Sequence, residues 1–226
     1  MELSIDTSNK HVSIALSQEG KIIIDKTWIS NKNHSVELLP AIQTIIKTIN
    51  KKFQNIKCIF IASGPGRFSA LRVGMSVAKG LAIGLNIPIS AINTLYLEAY
   101  PELIQNIETN ALIQYNKDFF YFGQFKNYNG HIESNYRIAD QNQFYELISE
   151  NSLICGEGIS SLSKDFYDKL NTSTKIINPR LPGSRIIKLA KLGFENHKNK
   201  IYVNTSNLQP IYMASKQIAK PKNNKI

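Results

Sequence analysis

Apolar and polar residues alternate along the start of the chain. In "LSIDTS" and "VSIALS" every second residue is apolar, with a turn at Asn9-Lys10 between the two runs. "KIIIDKTWIS" follows a second turn at Glu19-Gly20. Period-two runs separated by such turn residues predict three strands. From Val36 the spacing becomes helical. Leu38, Leu39, Ile42, Ile45, Ile46, Ile49 and Phe53 share one stripe, while Gln43, Lys47 and Lys51 lie off it. "IKCIFIASG" is then a continuous apolar run ended by Gly and Pro, the pattern of a strand covered on both faces. A helix after residue 67 and the buried strand "PISAIN" complete the first hundred residues.

A similar order returns after about residue 110. "ALIQY", "DFFYFGQF" and "HIESNYRIA" predict three strands, with turns at Asn116-Lys117 and Asn129-Gly130. Next come a helix near Gln141–Ser149, a strand "SLICG", a helix near Ser160–Leu170, a short strand "KIIN" and a helix after Pro182. The expected architecture is α/β, two lobes of βββαβαβα plan, divided as 1–100 and 101–226. The link is a helix near Leu95–Ile107, and the polar tail "KPKNNKI" is expected to fray.

The stretch "GPGRFSALRVGMSVAKGLAIG", residues 64–84, carries the most information. Gly64 and Gly66 sit between a buried strand and a helix, where backbone amides and the positive end of a helix can hold an anion. A tight strand-to-helix crossing explains the same glycines. The pattern is neither GxGxxG nor a P-loop. In the helix, Gly74, Gly80 and Gly84 join Ala78 and Ala82 in small-residue faces, and only Arg72, Ser76 and Lys79 make a narrow polar stripe. A helix apolar nearly all round needs cover on more than its sheet side, from a neighbouring helix or from a partner.

Charge and cysteine content narrow the setting. Of the net charge of +10, none arises in residues 1–160, where 14 Lys/Arg meet 14 Asp/Glu. Residues 161–226 hold 13 Lys/Arg against Asp165, Asp168 and Glu195, so the basic last third is a candidate tRNA or polyanion contact. Against this, 22 of the 27 basic residues are Lys, in a chain rich in Lys, Asn and Ile throughout. Cys58 and Cys155 lie in apolar runs and read as buried thiols of a cytoplasmic protein. The opening residues show no signal-peptide pattern. The apolar run Val73–Leu85 is short and carries Lys79, so no membrane span is expected.

In order and spacing, "IDTSNKHVSIAL", "HSVELLP" and "ASGPGRFSALRVGMSVAKGLA" resemble the TsaB (YeaZ-like) proteins of bacterial tRNA threonylcarbamoyladenosine synthesis. Three motifs over roughly residues 3–92 carry the resemblance. Later, "CGEG" and "LQPIYM" add to it. The resemblance implies the two-lobed actin/Hsp70-like (ASKHA) fold. It also implies a non-catalytic scaffold that binds the catalytic subunit TsaD through first-lobe helices, alongside the ATPase TsaE. The implied interface comprises Leu38, Leu39, Ile42, Ile45, Ile49, Leu71, Gly74, Met75, Ala78 and Leu81, with a homodimer through the same helices when the chain is alone. Such proteins usually have Ser-Phe-Thr-Gly where this chain has Arg67-Phe68-Ser69-Ala70, and an Arg where it has Ala214.

Catalytic alternatives are weighed on their ligand sets. The catalytic relative holds a metal with His-x-x-x-His, and the corresponding positions here are Thr94 and Glu98. His11, His34, His131 and His197 show no ligand spacing, which argues against a metal-dependent protease or transferase acting alone. An independent actin-like ATPase or kinase would use Asp6 to order a metal-bound water and the Gly64/Gly66 turn for phosphate. Alternatively, Asp6 and Thr7 bond turn amides. Glu157 in "CGEGIS" adds negative charge where phosphates would lie, so no tightly bound cofactor is expected. ATP or ADP at the partner interface stays open. His34 and Glu37 could form an acid–base pair, but helix capping by His34 or Ser35 with Glu37 in the first turn is the simpler account. Trp28 and the aromatics from Phe119 to Phe125 could stack on RNA, or fill the second-lobe core on one face.

Overall fold

Two five-stranded sheets share one strand order. A computed structural model describes residues 1–31, 33–177, 181 and 183–213. The first sheet contains β1 (Glu2–Asp6), β2 (His11–Gln18), β3 (Lys21–Ile29), β4 (Cys58–Ala62) and β5 (Ile89–Ile92), in the order β3-β2-β1-β4-β5. The second contains β6 (Thr109–Gln114), β7 (Phe119–Tyr128), β8 (His131–Asp140), β9 (Leu153–Cys155) and β10 (Lys175–Ile176), in the order β8-β7-β6-β9-β10. In each, the first three strands form antiparallel hairpins and the last two add in parallel. This repeated order is the two-lobed actin/Hsp70-like plan.

Helices cover the sheets where the apolar periods demand it. Leu38, Ile42, Ile45 and Ile46 of α1 (His34–Thr48) and Met75, Ala78 and Ala82 of α2 (Phe68–Leu85) pack on Leu3, Ile5, Ile59 and Ile61. Among the described residues α2 is the one helix with the length and composition to cross a membrane, yet its inner face belongs to this core. α3 (Thr94–Ala99) is shorter than the expected link, because Pro101 lacks the amide a longer helix needs, and a 3-10 turn, Tyr100–Glu102, follows. α4 (Gln141–Tyr145) starts with a capping box between Asp140 and Gln143. α5 (Lys164–Ser173) follows a 3-10 turn at Glu157–Ser161.

The expected division at residue 100 is corrected by α6 (Arg185–Lys198). That helix lies on the first sheet, with Ile186, Leu189 and Leu192 buried against Cys58, Phe60 and Ala62. Val203 then bridges to Ile89, Leu208 joins the first core, and the Ile211 amide donates to the Ser63 carbonyl at 2.8 Å. Residues 185–212 therefore return to the first lobe, and Met213 packs beside the second-sheet cluster. The reason is that β4 is apolar on both faces, and α1 and α2 cover only one. In exchange, Leu95 and Ala99 of α3 pack on the second sheet with Ala111, Tyr121 and Phe125. The expectation that β7 is covered on one face is corrected by the same swap, since Phe120 and Phe122 face α4 and α5 while Tyr121 and Phe125 face α3. Cys58 and Cys155 are both buried, as expected, and are not joined in a disulfide. Ala214 and the tail "KPKNNKI" lie outside the described residues.

Candidate functional site

A polar cleft of about 400 Å³ lies between the lobes, bounded by the β1–β2 turn, Arg67, Glu98, the Glu157–Ser161 turn and the start of α6. Arg185, which is 6% exposed, lies in its wall. The guanidinium donates from Nε to Asp6 Oδ2 at 2.9 Å and from Nη2 to Ser8 Oγ at 2.8 Å. From Nη1 it donates to Glu98 Oε1 at 2.8 Å and Glu157 Oε2 at 3.3 Å. Burial alone would lower the Arg185 pKa, but Asp6, Glu157 and Glu98 outweigh it and raise the pKa. For Glu98, burial is the larger influence and raises its pKa against the pull of Arg185. One guanidinium thus binds three carboxylates, a geometry suited to arginine's planar fork of donors.

This arrangement changes the reading of each residue proposed for nucleotide contact. Asp6 is not free to order a metal-bound water. Its Oδ1 accepts from the Ser8 amide at 2.9 Å and the Ser8 hydroxyl at 2.6 Å, while Oδ2 takes Arg185. The Gly64 amide donates to Thr94 Oγ1 at 3.0 Å, and the Arg67 amide to the Ser8 carbonyl at 2.7 Å. A Cβ at Gly66 would run into that same carbonyl. The turn is a tight crossing whose Gly64 and Arg67 amides are satisfied within the fold. Thr94 and Glu98, at the positions corresponding to the metal-binding histidines, hold the turn and Arg185 respectively. Among the described residues no group of three or more His, Cys, Asp or Glu is arranged to hold a metal.

The helix surface needs a similar correction. Leu38, Ile42, Ile45, Leu71, Gly74, Met75 and Ala78 are buried inside the first lobe, and Ile49 and Leu81 are half-buried. Residues that fill the core cannot also meet a partner. Of the ten interface residues expected, Leu39 is the exposed one, at 46%. The outward face of the two helices is instead Val36, Leu39, Gln43, Gly80, Ile83 and Gly84, with Val36 68% and Ile83 72% exposed. A groove of about 370 Å³ runs between them, floored by Phe53, Leu81 and Leu85.

The remaining candidates are structural. The Trp28 indole donates to Glu37 Oε2 at 3.0 Å, giving that carboxylate a structural partner. The simpler account holds in part: Glu37 lies in the first turn of α1 and His34 directly follows the N-cap residue Asn33, although no side-chain hydrogen bond caps the helix. In the basic last third, Arg185 and Lys188 are buried and add nothing to a surface patch. Arg185 is the functional-looking residue that periodicity missed. Its available signal was chemical: one of five arginines among 22 lysines, at the start of a helix.

Comparison with known proteins agrees with this architecture. The family described as TsaD, tRNA N6-adenosine threonylcarbamoyltransferase, matches residues 28–139. The tRNA threonylcarbamoyladenosine biosynthesis protein TsaB of Bacillus subtilis is 30% identical over 200 residues, 85% of this chain and 86% of that one. TsaB of Haemophilus influenzae is 26% identical over 228 residues, 93% of this chain and 92% of that one. Among solved structures, YeaZ from Pseudomonas aeruginosa superposes with a TM-score of 0.68 at 22% identity, covering 94% of this chain and all of that one, and shares the fold. By its likeness to the Bacillus subtilis protein along most of both chains, the chain belongs to the TsaB (YeaZ-like) family.

Proposed function

We propose that the chain acts in tRNA threonylcarbamoyladenosine synthesis as a non-catalytic scaffold, docking a TsaD-type catalytic subunit on the outward face of α1 and α2. The observation that carries this reading is the apolar groove between two packed helices, lined by Leu39, Phe53, Leu81 and Leu85, with Val36 and Ile83 exposed on the same helices. Contiguous exposed apolar surface marks an interaction site. The TsaD family match spans both helices, so a related surface on a TsaD-type partner offers a self-similar helix pair to dock against. A homodimer through the same face is the form expected of the chain alone.

The internal partners of Asp6 and of the Gly64 and Arg67 amides favour a scaffold over an independent ATPase or kinase. The ATP or ADP left open by the sequence would then sit at the partner interface, with the TsaE-type ATPase beside it. A tRNA contact through the last third would use surface lysines such as Lys191, Lys198 and Lys200, which are exposed.

Size-exclusion chromatography with light scattering, on the chain alone and mixed with its own TsaD, tests the reading. A heterodimer formed at the expense of free chain is expected. Burying an aliphatic side chain contributes about 1.5–3 kcal/mol, so Ile83→Asp or Leu39→Asp should weaken the complex roughly tenfold or more. Both sites are exposed, so neither change should disturb the fold. ATP turnover by the chain alone, without complex formation, would replace the scaffold with the independent enzyme.

A further inference from the structure

The partners of Arg185 come from four places in the fold that meet at the cleft. Asp6 ends β1, Ser8 lies in the β1–β2 turn, Glu98 lies on α3, and Glu157 belongs to the second lobe. Arg185 itself is carried by α6, which packs on the first sheet. We propose that Arg185 is an interlobe latch: its guanidinium is the resident cation of the cleft and holds the two lobes closed.

The charge count explains why the latch resists opening. Asp6, Glu98 and Glu157 face a single guanidinium, and Lys188, one helical turn further along α6, also acts on Glu98. Separating the lobes pulls Arg185 from Glu157 and leaves that carboxylate without its cation, while Arg185 stays with Asp6 and Ser8 on the first lobe. Breaking a buried ion pair costs far more than forming it gains, because the remaining charge is left uncompensated. A second bond, from the Asn9 side-chain amide to Glu157, crosses the cleft at the same point. The latch also reaches α2. Ser8 binds Arg185 through its hydroxyl and the Arg67 amide through its carbonyl, so the residue that meets the latch also seats the start of α2. Closure of the cleft and placement of that helix are therefore linked through one residue.

Hydrogen exchange on the full-length chain, read by mass spectrometry, tests this. The variants are Arg185→Lys, which keeps one charge but cannot fork to four partners, and Glu157→Gln, which changes a side chain 31% exposed. The Ser8 and Arg67 amides and peptides covering residues 153–161 should exchange at least tenfold faster in both variants. Exchange across β4 and the centre of β7 should stay as in the parent chain. Unchanged exchange at Ser8, Arg67 and 153–161 in both variants would overturn the latch. Equal acceleration everywhere would also overturn it, since that would mean general destabilisation. Because the experiment uses the chain alone, its outcome is separate from whether TsaD binds.

Discussion

At the scale of single residues, the buried carboxylate of Glu108 makes the clearest pH-dependent contribution. Its oxygens accept from the Ser149 amide at 3.1 Å, the Ser149 hydroxyl at 3.0 Å and the Asn110 side chain at 3.1 Å, with Lys126 at 3.4 Å. Burial pushes its pKa up, but these bonds outweigh burial and leave it below the ordinary glutamate value of 4.5. An acid with a lowered folded pKa stabilises the fold above its unfolded value and loses that contribution as pH falls through the folded one. Stability measured by urea unfolding should therefore decline below about pH 4.5. Glu108→Gln should cost about 1–3 kcal/mol at neutral pH and flatten that decline. A steep acid limb retained in Glu108→Gln would assign the effect elsewhere. Cys58 gives a second residue-level outcome. Burial raises its pKa to about 12, so its native thiol should resist iodoacetamide at pH 8 and react only after unfolding.

At the scale of the element, α2 shows how one helix separates packing from docking. Its glycines look equivalent in sequence, but a Cβ at Gly74 would collide with the Thr7 hydroxyl, while one at Gly80 would meet open space. Gly74→Ala should destabilise the chain by about 1–3 kcal/mol through overpacking. Gly80→Ala should stabilise the isolated chain by up to about 1 kcal/mol by improving helix propensity. Chemical unfolding of the two variants checks both signs. The Thr7 hydroxyl has no hydrogen-bond partner, so adding Thr7→Ala should recover part of the Gly74→Ala loss, as non-additivity in a double-mutant cycle. A charge at Gly74 or Ala78 would therefore injure the fold, whereas assembly is probed at Leu39 and Ile83.

At the scale of the whole molecule, the lobes are made interdependent by exchanged helices. α3 leaves the first hundred residues to cover the second sheet, and α6 returns from the last third to cover the first. A fragment of residues 1–100 would expose the face of Phe60, Ala62 and Ile92 that α6 buries. Such a fragment should bind a hydrophobic dye and lack a cooperative unfolding transition, whereas the full chain should show one. Cooperative unfolding of the fragment, free of dye, would mean that α6 is dispensable to the first lobe.

Local pattern by itself determined most of the elements. Alternation around Asn9-Lys10 and Glu19-Gly20 marked the first hairpins, the stripe from Leu38 to Phe53 marked α1, and the continuous run at Cys58–Ala62 marked a strand covered twice. Those signals depend on side-chain period, which each segment carries within itself. The motifs at residues 3–92 also pointed to the family. Only the tertiary structure decided which side of each element faces what. Leu38 and Leu39 are neighbours in one stripe, yet one is buried and the other exposed, because consecutive residues of a helix point in different directions and only Leu38 faces the first core. The lobe boundary was hidden for the same reason, since an amphipathic helix such as α6 records that it has an apolar face but not which sheet receives it. The pairing of Arg185 with Asp6, 179 residues apart in sequence, is the extreme case. Periodicity is a local property, while an ion cluster exists only where the folded chain brings distant charges together.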